Sequence, residues 1–404
     1  MAEKFYRWYD EPDGVGLRID PNYIKNLVIR AKTKAGSFVN LAKLTGLSVA
    51  TLSNYKNNIS LNIKGLKSLL DYLNINYNRI NHKILKIGWN NTMLDIDLNS
   101  NDMAIILCAS LADGHINQSH FMYKNKDLEL INRVKNSVWK LFGNYIKIND
   151  RIDKNGTPYI LCPSFVKRQL ERLGSPKGKK LFQNPHVPEI IMKGNLEQKR
   201  LFIQQFFDDE GWPEEKQRAI AASQSSDTTS VLTQDFINSL EIGKKYPLSI
   251  LSPDLRNKII RPNLLLDIQK LLKDDFNVYT ILSLRKIAKY KTRNGRIYVS
   301  SSFHLSCVRK EDIKRFHSAI GFYSTSKKLL LDKIIKEEVL PKDMAYQLIN
   351  LAIKFKREKG SFRISDIQKY LNFRTRAIRT RLTFLVKLRI LENNAGEYTL
   401  RLDV

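Results

Sequence analysis

The chain has 404 residues, 43% of them hydrophobic, enough to bury the cores of roughly two to four domains and too many for an intrinsically disordered protein. Its 68 Lys and Arg against 40 Asp and Glu give a formal charge of +28 spread along the whole length; a folded chain tolerates such self-repulsion where its partner is a polyanion. Cys108, Cys162 and Cys307 form no CxxC pair, no stretch reaches the roughly 20 apolar residues of a membrane span, and MAEKFYRWYDEPDG lacks a signal-peptide layout. These features argue against zinc ribbons, a disulfide framework and a membrane span; a cytoplasmic, nucleoid-associated protein without a membrane partner is expected, the alternatives for the charge being a ribosome-associated or anionic-membrane protein.

Residues 1–90 are expected to form a helical domain. In LAKLTGLSVATLSNYKNNISLNIKGLKSLLDYLNI the apolar spacing places Leu41 and Leu44 in a core, with Gly46 in a left-handed turn. Ser48 then caps the next helix, which Val49 and Leu52 hold down, while Thr51, Ser53, Asn54, Tyr55 and Lys56 point outward. The stretch resembles the phage-repressor-like helix-turn-helix family. That resemblance implies a second helix in the major groove, with Thr51, Asn54 and Lys56 at DNA. The alternative for the same pattern is a small dimerising bundle.

Residues 98–195 and 196–335 read as two copies of one unit. IILCASLADGHI ends an apolar helix in Asp113-Gly114, and RLFIQQFFDDEGW ends another in Glu210-Gly211. Each is followed by an Asn-Gly turn and a tyrosine, Asn155-Gly156 to Tyr159 and Asn294-Gly295 to Tyr298. Each then closes on LERLGSPKGKKL or FHSAIGFYSTSKKL. Asn-Gly between alternating segments is a strong hairpin signal, so each copy reads as αββαββα. Asp113 precedes Asn155 by 42 residues and Glu210 precedes Asn294 by 84, which predicts an insertion in the second copy near 215–257.

Such a duplication predicts an α+β fold in which two pseudo-symmetric repeats form a basic saddle, the motif helices meeting at the axis and delivering Asp113 and Glu210 side by side. Two acids there suit Mg²⁺ or another divalent metal and phosphodiester hydrolysis, with Gly114 and Gly211 letting the helix end and the backbone approach the metal. The hairpin cations Lys147, Arg151 and Lys154 in the first copy, and Arg285, Lys286, Lys289, Lys291, Arg293 and Arg296 in the second, are the candidate groove contacts.

These motifs resemble the LAGLIDADG homing endonucleases over roughly residues 98–335. KDLELINRVKNSVWKLFG after the first motif, VPEII at Val187 to Ile191 and IGF at Ile320 to Phe322 are also typical of that family. The resemblance implies Asp113 and Glu210 as metal-binding catalytic acids, with Lys180 and Lys327 near the scissile phosphates. It also implies small residues where the motif helices cross. Cys108, Ala109 and Ala112 comply, whereas Gln204, Gln205 and Asp209 do not, and a bulky Gln205 would separate the helices or need a partner.

Residues 340–404 predict a helix ending near Lys359-Gly360, a short helix opened by Ser365-Asp366-Ile367, a longer helix and a terminal hairpin, an arrangement resembling a winged helix. On the longer helix Ile378, Leu382, Leu385 and Val386 form the buried stripe. Arg374, Arg376, Arg379 and Arg381 form a phosphate or groove surface.

Together these elements predict a monomeric, site-specific endonuclease acting on double-stranded DNA. The other readings are a transcriptional regulator on a cleavage-deficient scaffold and, third, an RNA-splicing maturase with RNA as partner. Met1 at the start and Asp403-Val404 at the end, in place of intein splice residues, predict a free-standing or intron-encoded chain.

Overall fold

Short helices with polar caps dominate the N-terminal region of the computed structural model, which describes residues 5–401 except 58–60, 89–95, 144–145, 216, 293, 337–340, 372–374 and 388–389. Two strands, β1 (Phe5–Tyr6) and β2 (Leu17–Ile19), precede the helices α1 (Pro21–Ala35), α2 (Phe38–Thr45), α3 (Val49–Lys56) and α4 (Ile63–Tyr72). Strands β3 (Ile84–Ile87) and β4 (Ile96–Asp97) return to pair antiparallel with β2 and β1. Asp20, Ser37, Ser48 and Asn62 each accept a first-turn N–H, so every one of the four helices starts on a side-chain cap. Between α2 and α3, Gly46 takes φ +68°, the left-handed turn expected of it.

Three expectations for this region fail. Leu41 and Leu52 are buried, but Leu44 and Val49 are exposed: α2 buries its Leu41 side alone, and α3 buries Leu52 and Tyr55. Tyr55, expected to point outward, is buried. Its ring lies over Gly65 of α4, where a Cβ would fall 2.1 Å from the phenolic oxygen, and its hydroxyl donates to Asn62 Oδ1 at 3.0 Å.

The first copy follows in the same unit, residues 1–205. It comprises α5 (Asn101–Leu111), β5 (Gly114–Ile116), β6 (Phe121–Lys124), α6 (Leu128–Phe142), β7 (Asn149–Ile152), β8 (Pro158–Cys162) and α7 (Ser164–Arg172). Short helices α8 (Lys180–Gln183) and α9 (Glu189–Met192) come after them. The antiparallel sheet runs β5-β6-β8-β7. Every residue of α5 from Met103 to Leu111 is buried, as a helix apolar all round requires. The N-terminal region is fastened to this copy by a buried carboxylate. Glu11 is 3% exposed, is ion-paired with Arg168 and accepts from Gln169 Nε2 at 2.8 Å, both on α7.

Helix α10 (Leu196–Glu210) leads into the second unit, residues 206–404. That unit continues with β9 (Gly211–Glu214), β10 (Ala219–Asp227), α11 (Gln234–Ser239), β11 (Lys245–Tyr246), α12 (Pro253–Lys258) and α13 (Asn263–Phe276). Then come β12 (Ile281–Lys291), β13 (Ile297–Cys307), α14 (Lys310–Ala319) and α15 (Thr325–Lys336). Its sheet runs β11-β12-β13-β10-β9. Without β11 this is the β5-β6-β8-β7 order read from the other edge. The hairpin turns are also built alike: Asp153 N–H bonds Thr157 O and Gly156 N–H bonds Asp153 O, as Thr292 N–H bonds Arg296 O and Gly295 N–H bonds Thr292 O. Gly156 and Gly295 take φ +76° and +85°.

The insertion lies later than expected. Residues 215–227 belong to the β9–β10 hairpin, so the extra chain is 228–262, between β10 and α13, where the first copy has only 125–127. Its strand β11 pairs with β12 and covers that edge of the sheet. Helices α16 (Pro341–Lys359), α17 (Ile364–Ile367) and α18 (Thr375–Lys387), with the hairpin β14 (Leu391–Asn394) and β15 (Glu397–Leu400), complete the unit. Leu348, Ala352, Phe355, Phe362, Ile367, Ile378, Leu382 and Leu385 form their shared core with the hairpin, Val386 packing at its margin.

Candidate nucleic-acid interface and acid–glycine turns

Each copy's motif helix ends in the same local construction. In the first, α5 stops at Leu111, Asp113 is exposed, and β5 leaves at Gly114. Asn125 Nδ2 donates to Asp113 Oδ2 at 2.9 Å and so orients the carboxylate. Lys180 places its ammonium among the helix-end carbonyls, donating to Ala112 O, to Gly114 O at 2.8 Å and to Ser110 O at 3.4 Å. The partial negative charge at a helix C-terminus favours such a cation, and its three N–H donors match three carbonyls.

In the second copy Glu210 is half-buried at the end of α10 and Gly211 opens β9. Lys327 donates to Asp208 O, to Gly211 O at 2.6 Å and to Phe207 O at 3.4 Å. The carbonyls three residues before and one residue after each acid are therefore engaged by a lysine in both copies. Asp208, 1% exposed, accepts the backbone N–H of Tyr323 at 2.9 Å and of Ser324 at 3.1 Å, tying the motif helix to the start of α15. Leu111 stands at the corresponding place in the first copy, where Ser110 Oγ instead meets Ser175 Oγ at 2.6 Å.

The glycines serve a different purpose from the one the sequence predicts. Neither Gly114 nor Gly211 has positive φ. Both are required by close packing: a Cβ on Gly114 would lie 2.4 Å from Ala109 O, and one on Gly211 2.8 Å from Phe207 O. Their carbonyls, expected near a metal, accept from the two lysines. Gly114→Ala and Gly211→Ala are each expected to destabilise their unit by about 1–3 kcal/mol, as overpacking does. Thermal unfolding checks this, and an unchanged midpoint would refute the packing account.

The glutamines of α10 have partners. Gln205, fully buried, donates to Tyr123 Oη at 3.3 Å, and Gln204 Oε1 accepts from Arg133 at 2.7 Å. Among the described residues no three His, Cys, Asp or Glu side chains converge to hold a metal. The donor chemistry still fits Mg²⁺, which is commonly held by one or two carboxylates together with water and substrate phosphate.

The sheets bury one face and leave the other open. In the first unit the register aligns His115, Met122, Leu161 and Asn149, then Lys124, Tyr159 and Arg151, on the half-exposed or exposed face. Arg151 is where the sequence places it, and Lys147 and Lys154 are exposed beside it. Burial and the nearby Lys180 charge push the His115 imidazole down in pKa.

In the second unit a one-residue bulge between Leu284 and Lys286 shifts the phase of β12. Lys286 is left on the open face and Arg285 is exposed, whereas Lys289 is turned inward. Lys289 is 8% exposed and donates to Leu240 O of the insertion at 2.9 Å, so it is corrected from groove contact to structural anchor. Lys291 is exposed, and Arg296 is exposed beside Asp227, whose Oδ2 accepts from it at 3.2 Å. Thr51 and Lys56 are half-exposed and Asn54 is exposed on α3, while on α18 Arg379 is exposed and Arg381 half-exposed. Arg293 and Arg374, and the side chain of Arg376, lie outside the described residues.

Sequence reasoning missed Asn125, Asp208 and the open-face residues His115, Lys124 and His304. Strand register exposes the last three, and hydrogen bonds across the fold expose Asn125 and Asp208.

No family model matches the chain, and no curated protein matches it. Among solved structures it is similar to the N-terminal LAGLIDADG domain of DUF199/WhiA, at 14% identity and a TM-score of 0.31 over 58% of this chain and 88% of that one. It is likewise similar to mesophilic variants from the homing endonuclease I-DmoI, at 11% identity and a TM-score of 0.33 over 58% and 98%. A third similarity is to the homing endonuclease I-WcaI bound to its DNA recognition sequence, at 10% identity and a TM-score of 0.30 over 57% and 85%. The chain is of mixed helix and strand, and among its described residues no helix is long and apolar enough to cross a membrane.

Proposed function

We propose that the chain is a sequence-specific double-stranded DNA-binding protein built on two LAGLIDADG-type repeats, and that it cleaves DNA with Asp113 and Glu210. One observation carries the reading. An acid, a close-packed glycine and a lysine clasped over the helix end occur twice, on the same sheet order, in a chain of net charge +28. A structural helix end needs no such repetition of an exposed or half-exposed acid. In this reading the repeats form a pseudo-symmetric saddle, and residues 1–90 and 340–404 act as helix-turn-helix and winged-helix modules that lengthen the contact.

Asp113 and Glu210 would hold the divalent metal, which supplies activation of water and stabilisation of the leaving oxygen when bound. The protein's own part is to fix both acids. Asn125 orients the Asp113 carboxylate, while Lys180 and Lys327 hold the acid–glycine turns rigid through backbone carbonyls.

A second reading, a transcriptional regulator that binds without cutting, is favoured by the flanking modules, whose exposed or half-exposed Asn54, Lys56, Arg379 and Arg381 exceed what strand scission requires. Both readings require binding dominated by phosphates. Raising salt from about 50 to about 200 mM is expected to weaken affinity by roughly 10³–10⁵-fold, as for proteins making about 6–10 phosphate contacts. A fluorescence-anisotropy titration on duplex DNA reads this, and a flat salt response would rule out DNA as partner. Nicking of a duplex library in Mg²⁺ then separates enzyme from regulator.

A further inference from the structure

Three side chains link helix α10 to the acid that follows α5. Gln205 of α10 donates through Nε2 to Tyr123 Oη at 3.3 Å. The same phenol oxygen is met by Asn125 Nδ2 at 3.4 Å, and Asn125 Nδ2, which carries two N–H groups, also donates to Asp113 Oδ2 at 2.9 Å. Tyr123 and Gln205 are fully buried, whereas Asn125 is half-exposed and Asp113 exposed, so the chain of bonds runs from the interior to the surface. The far side of the Asn125 amide settles which way it faces. Its Oδ1 accepts the Asp127 N–H at 2.9 Å, where α6 begins, which leaves Nδ2 for Asp113 and Tyr123.

We infer that Tyr123 and Gln205 are positioning residues for Asp113: α10, through a buried phenol and the Asn125 amide, sets the direction in which the first repeat presents its carboxylate. The inference rests on the reading of Asp113 as a metal-binding acid and adds what aims it. An exposed carboxylate samples several rotamers, and a metal must freeze them on binding; a partner that fixes the rotamer beforehand removes that cost. Asn125 can serve as such a partner only if it is itself held, and Asp127 and Tyr123 hold it at both ends of the amide. Gln205 in turn holds the phenol. This also accounts for a long polar side chain on a buried stretch of α10, where an apolar residue would pack without needing a hydrogen-bond partner.

Gln204, the neighbouring residue of α10, supplies the contrast. Its Oε1 accepts from Arg133 of α6 at 2.7 Å, a buried bond that fastens the same helix at another point. Losing either glutamine should loosen α10, but only Gln205 is bonded toward Asp113 through Tyr123 and Asn125.

The test is calorimetric titration of Ca²⁺ into the full chain bound to a duplex selected from a randomised library. Tyr123→Phe deletes only the hydroxyl and is expected to weaken Ca²⁺ binding about fivefold, below the roughly 10–100-fold typical of a group in direct contact with a metal ligand. Gln205→Met, unbranched and of similar length, is expected to do the same. The double variant should lose no more than either single one, because both changes break one chain of bonds. Gln204→Met is expected to lower the unfolding temperature while leaving Ca²⁺ affinity within about twofold. A folded Tyr123→Phe protein that binds Ca²⁺ like wild type overturns the inference. Losses that add in the double variant overturn it too, as does a Gln204→Met protein weakened as much as the other two. A wild-type complex that takes up no Ca²⁺ overturns the reading of Asp113 as a metal ligand, and this inference falls with it. Should Gln205→Met not fold, the comparison of Tyr123→Phe with Gln204→Met decides.

Discussion

Asp113→Asn and Glu210→Gln are each expected to reduce cleavage of duplex DNA by about a thousandfold or more while changing affinity by less than about threefold. Both substitutions keep the shape of the side chain and remove its charge, and charge is what a hard divalent cation requires of its ligand. The folded state should not suffer. Asn125 donates to Asp113 Oδ2, and an amide oxygen at that position still accepts the bond. Lys180 and Lys327 bond backbone carbonyls, so neither loses a partner when the acids are neutralised. The measurement is nicking of selected duplexes in Mg²⁺ alongside binding by the same proteins. If wild type and both variants bind the same sequence and none cuts, the chain is the regulator and not the nuclease. If the variants cut as fast as wild type, neither acid is catalytic.

Local features were the legible ones. The Asn-Gly turns, the left-handed Gly46 and the Ser48 cap each need only neighbours in sequence, and all are found in the expected local conformation, whereas Lys180 and Lys327 bond carbonyls of helix ends far away in sequence. Features settled by distant pairing were not legible. AIAASQSSD carries little strand propensity of its own and becomes β10 by pairing with β9 and β13, so the sequence places the insertion too early. Lys289 is not legible as a buried anchor because one bulge residue inverts the alternation that a strand pattern assumes to run unbroken. The burial of Tyr55 is not legible because the space it fills is opened by Gly65, ten residues later on another helix. The open face of the second sheet is illegible for the same reason: Ser300 and Ser302 stand outward with Ser301 between them, buried against Ser226, a split set by pairing with β10 and not by side-chain type.

Glu11 gives the largest stability effect expected away from the motif turns. Its side chain is 1% exposed, ion-paired with Arg168 and accepting from Gln169, whose own side chain is fully buried. Removing the carboxylate by Glu11→Ala leaves the Gln169 amide without that acceptor and Arg168 without its counter-charge. The expected loss is about 2–4 kcal/mol, less than for a fully enclosed ion pair because Arg168 is 25% exposed and water can reach it. Glu11→Gln, which keeps an acceptor for Gln169, should cost roughly half as much. Denaturant unfolding measures both, and equal losses would mean that charge alone matters. There is a functional consequence as well. Glu11 fastens the N-terminal helices to α7 of the first repeat, so a weakened anchor removes the fixed spacing between α3 and the repeat's sheet. Affinity for a short site covered by the repeats should then survive, whereas the added affinity of a longer site spanning the N-terminal helices should fall, since tethered binding depends on how well the linkage fixes that distance. Comparing Kd for nested duplexes between wild type and Glu11→Ala decides this: an undiminished gain from lengthening the site would show that the anchor stabilises the fold without setting the reach on DNA.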